Sequence, residues 1–266
     1  MESLKNKEGN KTFFLHFRDN LLFLNQAIKS YRQTLIKGLQ RLKNKKMKNI
    51  KGIIFDLDGV LFDSEYYQWQ GWVEPLKKFD IELTKEMYFK YAGKSGKQID
   101  QELIEDFNLD MEKGYLLKEK KVLIEKWFKE KTMPIMPYAR EAVEYFSNNS
   151  NFKIALCSGG DREEVITKLD KNDFLKYFSI IVAGDDVERS KPWPDVYLLS
   201  AEKLNLDPSD CLAFEDTQYG LESAKSAGVN CFIIPNEYSK NQDFSSANEI
   251  FPSFKEAIDY FKKINI

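Results

Sequence analysis

The 266-residue chain is 42% hydrophobic and 31% charged with a formal net charge of −2, a composition that builds one large core plus a smaller module and excludes disorder throughout. No apolar stretch approaches the roughly 20 residues of a membrane-spanning helix; Phe13–Leu24 is broken by His16, Arg18, Asp19 and Asn20, so neither a membrane partner nor a secretory signal is expected. His16 is the single histidine and Cys157, Cys211 and Cys231 fall in separate apolar runs, which disfavours a Ser-His-Asp triad, a zinc site and a disulfide framework and leaves carboxylate and lysine chemistry.

Charge is unevenly spread along the chain. Residues 1–49 hold 12 Lys+Arg against 3 Asp+Glu, whereas the other 217 hold 28 against 39, so the first segment differs in kind from the rest. Within it Leu21, Ile28, Leu35 and Leu42 stand seven apart, with Leu24, Tyr31 and Gly38 at the alternate seam. The pattern predicts a basic helix with one sticky stripe, suited equally to a short coiled coil, hence a weak homodimer beside the monomer, and to docking on the chain's own core. Two further readings stay open: Met47 as the physiological start, and an organellar presequence in residues 1–46 of a protein otherwise expected in the cytoplasm.

The apolar run Ile50, Ile53, Ile54, Phe55 predicts the first strand, and Asp56-Leu57-Asp58-Gly59 follows it directly. Side chains two apart on an ideal strand share a face, and ligands of parallel α/β sheets gather beyond the strands' carboxyl ends. Asp56 and Asp58 are therefore expected to converge on one ligand. Two carboxylates about 4 Å apart repel by roughly 4 kcal/mol at an effective dielectric near 20, so the pair calls for a cation, a shared proton or solvent.

Residues 65–135 are rich in aromatic and aliphatic side chains at helical spacing, among them Leu116, Leu117, Leu123, Ile124, Trp127 and Phe128, and predict an insert of about four helices. Its place immediately after a catalytic strand favours a lid. From Pro137 onward amphipathic stretches alternate with apolar runs: helix Pro137–Asn149, strand Phe152–Cys157, helix Asp161–Leu169, strand Ile180–Val182, helix Pro194–Leu204, strand Cys211–Phe214, helix Thr217–Ala227, strand Cys231–Ile234 and a last helix Phe254–Lys262. Asp161 with Glu164 reads as a capping box, and Gly228 suits the position after a helix. This alternation predicts an α/β fold, a doubly wound parallel sheet with an inserted all-helical module. The expected parts are a basic extension (1–49), a core (50–64 and 136–266) and a helical cap (65–135).

Four strings at strand ends together resemble the haloacid-dehalogenase-like hydrolase superfamily, and especially its β-phosphoglucomutase-like phosphatases, over residues 50 to about 235. They are Asp56-Leu57-Asp58-Gly59 with Leu61 and Asp63-Ser64; Ser158-Gly159-Gly160; Lys191-Pro192-Trp193-Pro194-Asp195 after Gly184-Asp185-Asp186; and Glu215-Asp216-Thr217. The resemblance implies a Rossmann-like core and a magnesium-dependent phosphatase of a small phosphorylated metabolite, a sugar or polyol phosphate, with no nucleic-acid partner. It implies Asp56 as nucleophile and metal ligand, and Asp58 as acid and base with its backbone carbonyl on the metal. It further implies Ser158, Gly159 and Lys191 on the phosphoryl oxygens, and Glu215 and Asp216 completing the metal shell. The acidic, oxygen-rich donor set suits a hard Mg2+ ion.

Substrate choice falls to the insert, where Gln68 and Lys97 are the candidate contacts and Lys94 is read as a solvated loop lysine. β-Phosphoglucomutases resemble this chain but carry His at the position of Gln68 and Arg near Gly96 and Lys97, which tilts the expectation from mutase toward hydrolysis. A non-catalytic protein that uses the heptad helix to recruit a partner is the reading from another class.

Overall fold

The structure is a computed structural model that describes residues 49–130 and 132–264, together with Lys29; the heptad stripe, His16 and the extension's proposed roles lie outside the described residues. Six strands, β1 (Gly52–Phe55), β2 (Lys153–Cys157), β3 (Ile181–Val182), β4 (Cys211–Glu215), β5 (Asn230–Ile233) and β6 (Glu249–Ile250), form one sheet in the order β3-β2-β1-β4-β5-β6. Every neighbouring pair is parallel. Parallel neighbours need crossovers; helices α5 (Ala139–Ser147), α6 (Arg162–Lys171), α7 (Asp195–Leu204) and α8 (Gln218–Ser226) lie on those up to β5, a loop leads from β5 to β6, and α9 (Phe254–Ile264) is the last described element. The strand order reverses between β1 and β4, which is where such sheets open a crevice.

Alternation along the strands sorts the core into two faces. Ile54, Ala155, Ala213 and Cys231 point one way and pack on Val196, Tyr197, Ala201, Leu221 and Ala224 of α7 and α8. Phe55 and Phe214 point the other way, stacked with centroids 5.4 Å apart, and meet Phe146 of α5 and Phe254 of α9. Burying both faces explains why these strands read as continuous apolar runs. The edge strand β6, only Glu249 and Ile250, is too short to leave a periodic signal and was not expected from the sequence.

Between β1 and α5 the described residues form four helices: α1 (Glu65–Lys77), α2 (Lys85–Tyr88), α3 (Gly96–Asp106) and α4 (Tyr115–Glu130). They bury a core of their own that includes Trp72, Leu76, Tyr91, Leu103 and Leu116. The chain enters and leaves this insert through adjacent segments, tied by Asp63 N–H to Pro134 O (2.8 Å) and Met136 N–H to Leu61 O (2.9 Å). One local expectation fails. Asp161 is the N-cap of α6 but makes no capping bond, because its carboxylate pairs with Lys121 of α4 at 2.6 Å and Glu164 is drawn to Lys168, also at 2.6 Å.

Candidate active site

Sheet register brings the distant acids together. Phe55 of β1 pairs with Phe214 of β4, and the next residue, Asp56, donates its N–H to Phe214 O at 3.0 Å. Asp56, Glu215 and Asp216 consequently meet at the switch point, all buried, each offering a carboxylate oxygen within 4.8 Å of the others. Asp58 has a different fate, because β1 ends at Phe55 and the chain turns: Leu61 and Phe62 N–H both bond Leu57 O, at 2.9 and 3.1 Å. The ideal-strand argument thus does not describe how the two aspartates lie. Gly59 makes the turn possible: its φ is +79°, and a Cβ there would stand 2.2 Å from Asp216 Oδ2.

Lys191 Nζ bonds Asp56 Oδ1 and Glu215 Oε1, each at 2.5 Å. Tyr197 of α7 donates its hydroxyl to the same Glu215 oxygen at 2.5 Å, and Asn236 Nδ2 donates to Asp216 Oδ2 at 2.7 Å. Three carboxylates against one ammonium leave a deficit of two positive charges among buried side chains. The strain shows in the acids' affinities for protons. Burial, with the repulsion of Glu215 and Asp58, pushes Asp56 up to about 8 despite Lys191. Burial and the charges of Glu215 and Asp56 also raise Asp216 well above the carboxylate range.

Asp58 is held by a second lysine. Its Oδ1 accepts from Ser64 Oγ and from Lys168 Nζ, the latter at 2.5 Å. Burial alone would raise its pKa, but the Lys168 charge and these bonds bring it below the ordinary value. Lys168 itself is fully buried on α6 and also pairs with Glu164.

A cavity of about 270 Å³ opens between the sheet's carboxyl edge and the insert, lined by Asp56, Asp58, Ser158, Gly159, Lys191, Glu215, Asp216 and Gln68 among others. Ser158 Oγ accepts the Gly160 N–H at 3.0 Å, which leaves its hydroxyl proton to be donated. Gln68 accepts from Lys120 Nζ at 2.6 Å and faces Glu164. Lys97 is exposed and does not line the cavity; Lys94 does, paired with Glu102 at 2.6 Å.

Sequence reasoning missed Lys168, Lys120, Tyr197, Asn236 and Glu65. The two lysines had left a signal: Lys168 shares a stripe with Val165 and Leu169, and Lys120 sits midway between Leu116 and Ile124, so each is a charge on an apolar helical face. Burial lowers the Lys120 pKa. Glu65, the first residue of α1, lines the cavity and is raised to about 7 by burial and by Asp58.

Comparison with known proteins decides the family. The sequence profile described as haloacid dehalogenase-like hydrolase matches residues 53–234. The chain belongs to that family. This hydrolase is 33% identical over 184 residues to a phosphorylated carbohydrates phosphatase of Thermotoga maritima, covering 68% of this chain and 82% of that protein. It is 26% identical over 183 residues to the fructose-1-phosphate phosphatase of Escherichia coli, covering 69% and 95% respectively. Among solved structures, a β-phosphoglucomutase of Clostridium difficile superposes with a TM-score of 0.69 at 25% identity, covering 81% of this chain and 96% of that one.

Proposed function

We propose that the protein is a magnesium-dependent phosphatase that hydrolyses a small sugar or polyol phosphate through an aspartyl-phosphate, with residues 50–64 and 136–266 as catalytic core and the insert, 65–135, as its lid. The observation that carries this reading is the convergence of Asp56, Glu215 and Asp216 within 4.8 Å. An all-oxygen donor set two charges short of neutrality, with no imidazole or thiol among the three, fits a hard divalent cation.

Asp56, Glu215, Asp216 and the Asp58 carbonyl would hold magnesium, and Glu215 also anchors Lys191. When bound, the ion neutralises carboxylate and phosphoryl charge. Asp56 attacks phosphorus; an Asp–O–P bond forms as the ester P–O bond breaks. Asp58 passes a proton to the departing alkoxide. Substrate brings further negative charge beside Asp58, which favours its protonation for this step even though the resting clamp favours the carboxylate. Water then attacks the aspartyl-phosphate and returns a proton to Asp58, the Asp56–phosphorus linkage breaks, and inorganic phosphate leaves. Lys191, the Ser158 hydroxyl and the Gly159 N–H steady the phosphoryl oxygens.

The test is phosphate release from a panel of sugar and polyol phosphates, with and without chelator. Release is expected to require magnesium and to vanish in Asp56→Asn; full activity in that variant refutes the covalent route. The likeness to a β-phosphoglucomutase supports a second reading, a mutase. β-Glucose 1-phosphate separates the two: free glucose supports the phosphatase, glucose 6-phosphate the mutase. Gln68 and the outlying Lys97 favour hydrolysis, since a mutase must retain its bisphosphorylated intermediate while the sugar turns.

A further inference from the structure

Lys168 has no part in the chemistry above, yet its placement is costly. Its side chain is wholly buried, and removing an ammonium from water costs several kcal/mol unless partners compensate. On packing grounds alone its position on α6, beside Val165 and Leu169, would carry an aliphatic side chain. Glu164, one turn earlier on the same helix, neutralises one charge at 2.6 Å. The second bond reaches across 110 residues of sequence to Asp58 Oδ1 at 2.5 Å.

Three features bear on how this second bond holds Asp58. Ser64 Oγ and Lys168 Nζ both bind Oδ1, so among the described residues Oδ2 has no protein partner, on a side chain 22% exposed that lines the cavity. The ammonium is itself fixed, because the Phe128 ring of α4 covers it at 4.4 Å. Glu164 is fixed in turn, because Gln68 of α1 donates to it at 3.4 Å. The clamp therefore joins the reacting loop, the core helix and two helices of the insert.

We propose that Lys168 is a positioning residue for the acid-base group: with Ser64 it holds Asp58 Oδ1 and so aims Oδ2 at the ester oxygen that leaves. The inference rests on the phosphatase reading. It differs from a structural role for Lys168, namely neutralising Glu164, in one measurable respect. An alkyl phosphate expels a poor leaving group that needs the proton from Asp58, whereas the aryl leaving group of p-nitrophenyl phosphate departs as a stable anion. A misaimed acid slows formation of the aspartyl-phosphate from the first and spares it for the second, whereas breakdown of that intermediate, in which Asp58 takes water's proton, is common to both.

The experiment compares glycerol 3-phosphate with p-nitrophenyl phosphate in wild type, Lys168→Met, Lys168→Arg and Ser64→Ala, in magnesium. In Lys168→Met, kcat/KM for glycerol 3-phosphate, which reads formation of the aspartyl-phosphate alone, is expected to fall by about 30-fold or more while kcat/KM for p-nitrophenyl phosphate stays within about 3-fold. Lys168→Arg restores part of the loss. Ser64→Ala removes the other half of the clamp without burying or exposing a charge, and keeps the test open if Lys168→Met does not fold; it is expected to show the same selective loss. An equal fall in kcat/KM for both substrates, or a fall for neither, overturns the proposal. Where another alkyl ester of the sugar and polyol phosphate panel is turned over faster, it takes the place of glycerol 3-phosphate; a wild type inert toward the whole panel and toward p-nitrophenyl phosphate refutes the phosphatase reading before any variant is made, and this proposal with it.

Discussion

Replacing Gly220 by alanine sets local helix preference against the active-site network, and the magnitudes decide the outcome. Gly220 lies in the first turn of α8, where alanine would ordinarily add about 1 kcal/mol of stability. Here an added Cβ would stand 2.0 Å from the Glu215 carboxyl carbon and 2.1 Å from each of its oxygens. Glu215 cannot step aside cheaply: Oε1 accepts from Lys191 and Tyr197, each at 2.5 Å, and Oε2 from the Asp216 N–H at 3.2 Å. Evicting it leaves a buried ammonium and a buried phenol each short of a partner, at about 3–5 kcal/mol for breaking a buried ion pair. Setting the helix gain against this loss, Gly220→Ala is expected to destabilise the protein by about 2–4 kcal/mol. Urea unfolding at pH 7.5 measures the difference, and calorimetric titration with magnesium should show weaker binding. A variant as stable as wild type, with the same magnesium affinity, would show that Glu215 is not anchored as described.

Two other outcomes follow from the same network. Asp56 is pushed up to about 8 from an unfolded value near 3.8, so the protonated form is favoured in the folded state; the metal-free protein holds this stabilisation fully below about pH 4 and loses it as pH rises toward 8. Melting temperature in chelator should therefore fall between pH 5 and 8 and magnesium should flatten the fall; a metal-free Tm that climbs across this window contradicts the crowding of acids. Tyr197→Phe deletes the phenol that donates to Glu215 and should cost about 1.5–3 kcal/mol, the range for a hydrogen bond to a charged group, read from the urea midpoint; an unchanged midpoint refutes the anchoring role.

The sequence made the sheet legible because both of its faces are buried, so β1, β2, β4 and β5 appear as short apolar runs whose carboxyl ends could be located to within a residue or two. Asp56, Ser158, Lys191, Glu215 and Asp216 stand at or just beyond those ends, or beside the next helix; sheet register gathers Asp56, Glu215 and Asp216, and Lys191 reaches them from the loop before α7. What stayed hidden depends on side chains crossing between elements. Tyr197 looks like any core aromatic until α7 packs beside β4 and its hydroxyl reaches Glu215. Asn236 looks like a loop residue until it meets Asp216. Lys97 fails for the same reason in reverse: a helix's first turn can be placed by its pattern, but the direction that turn faces is set by the packing of α3 against α4.

Asp56 and Asp58 are chemically identical and two residues apart, yet the fold drives their proton affinities in opposite directions. Asp56 shares Lys191 with Glu215 and stands beside Asp216, so two further buried acids compete for one cation. Asp58 has turned out of that cluster and receives Lys168 and Ser64. The difference originates in the backbone, where Gly59 at φ +79° lets the chain leave the strand direction. Straight β geometry would have set both carboxylates on one face, beside the same crowd of acids. Because the turn divides them, one carboxylate is left in the crowd that a dication would relieve and the other is held apart, with an oxygen free to exchange a proton. Separating like groups by environment is how a single chemical type comes to serve two roles in one site.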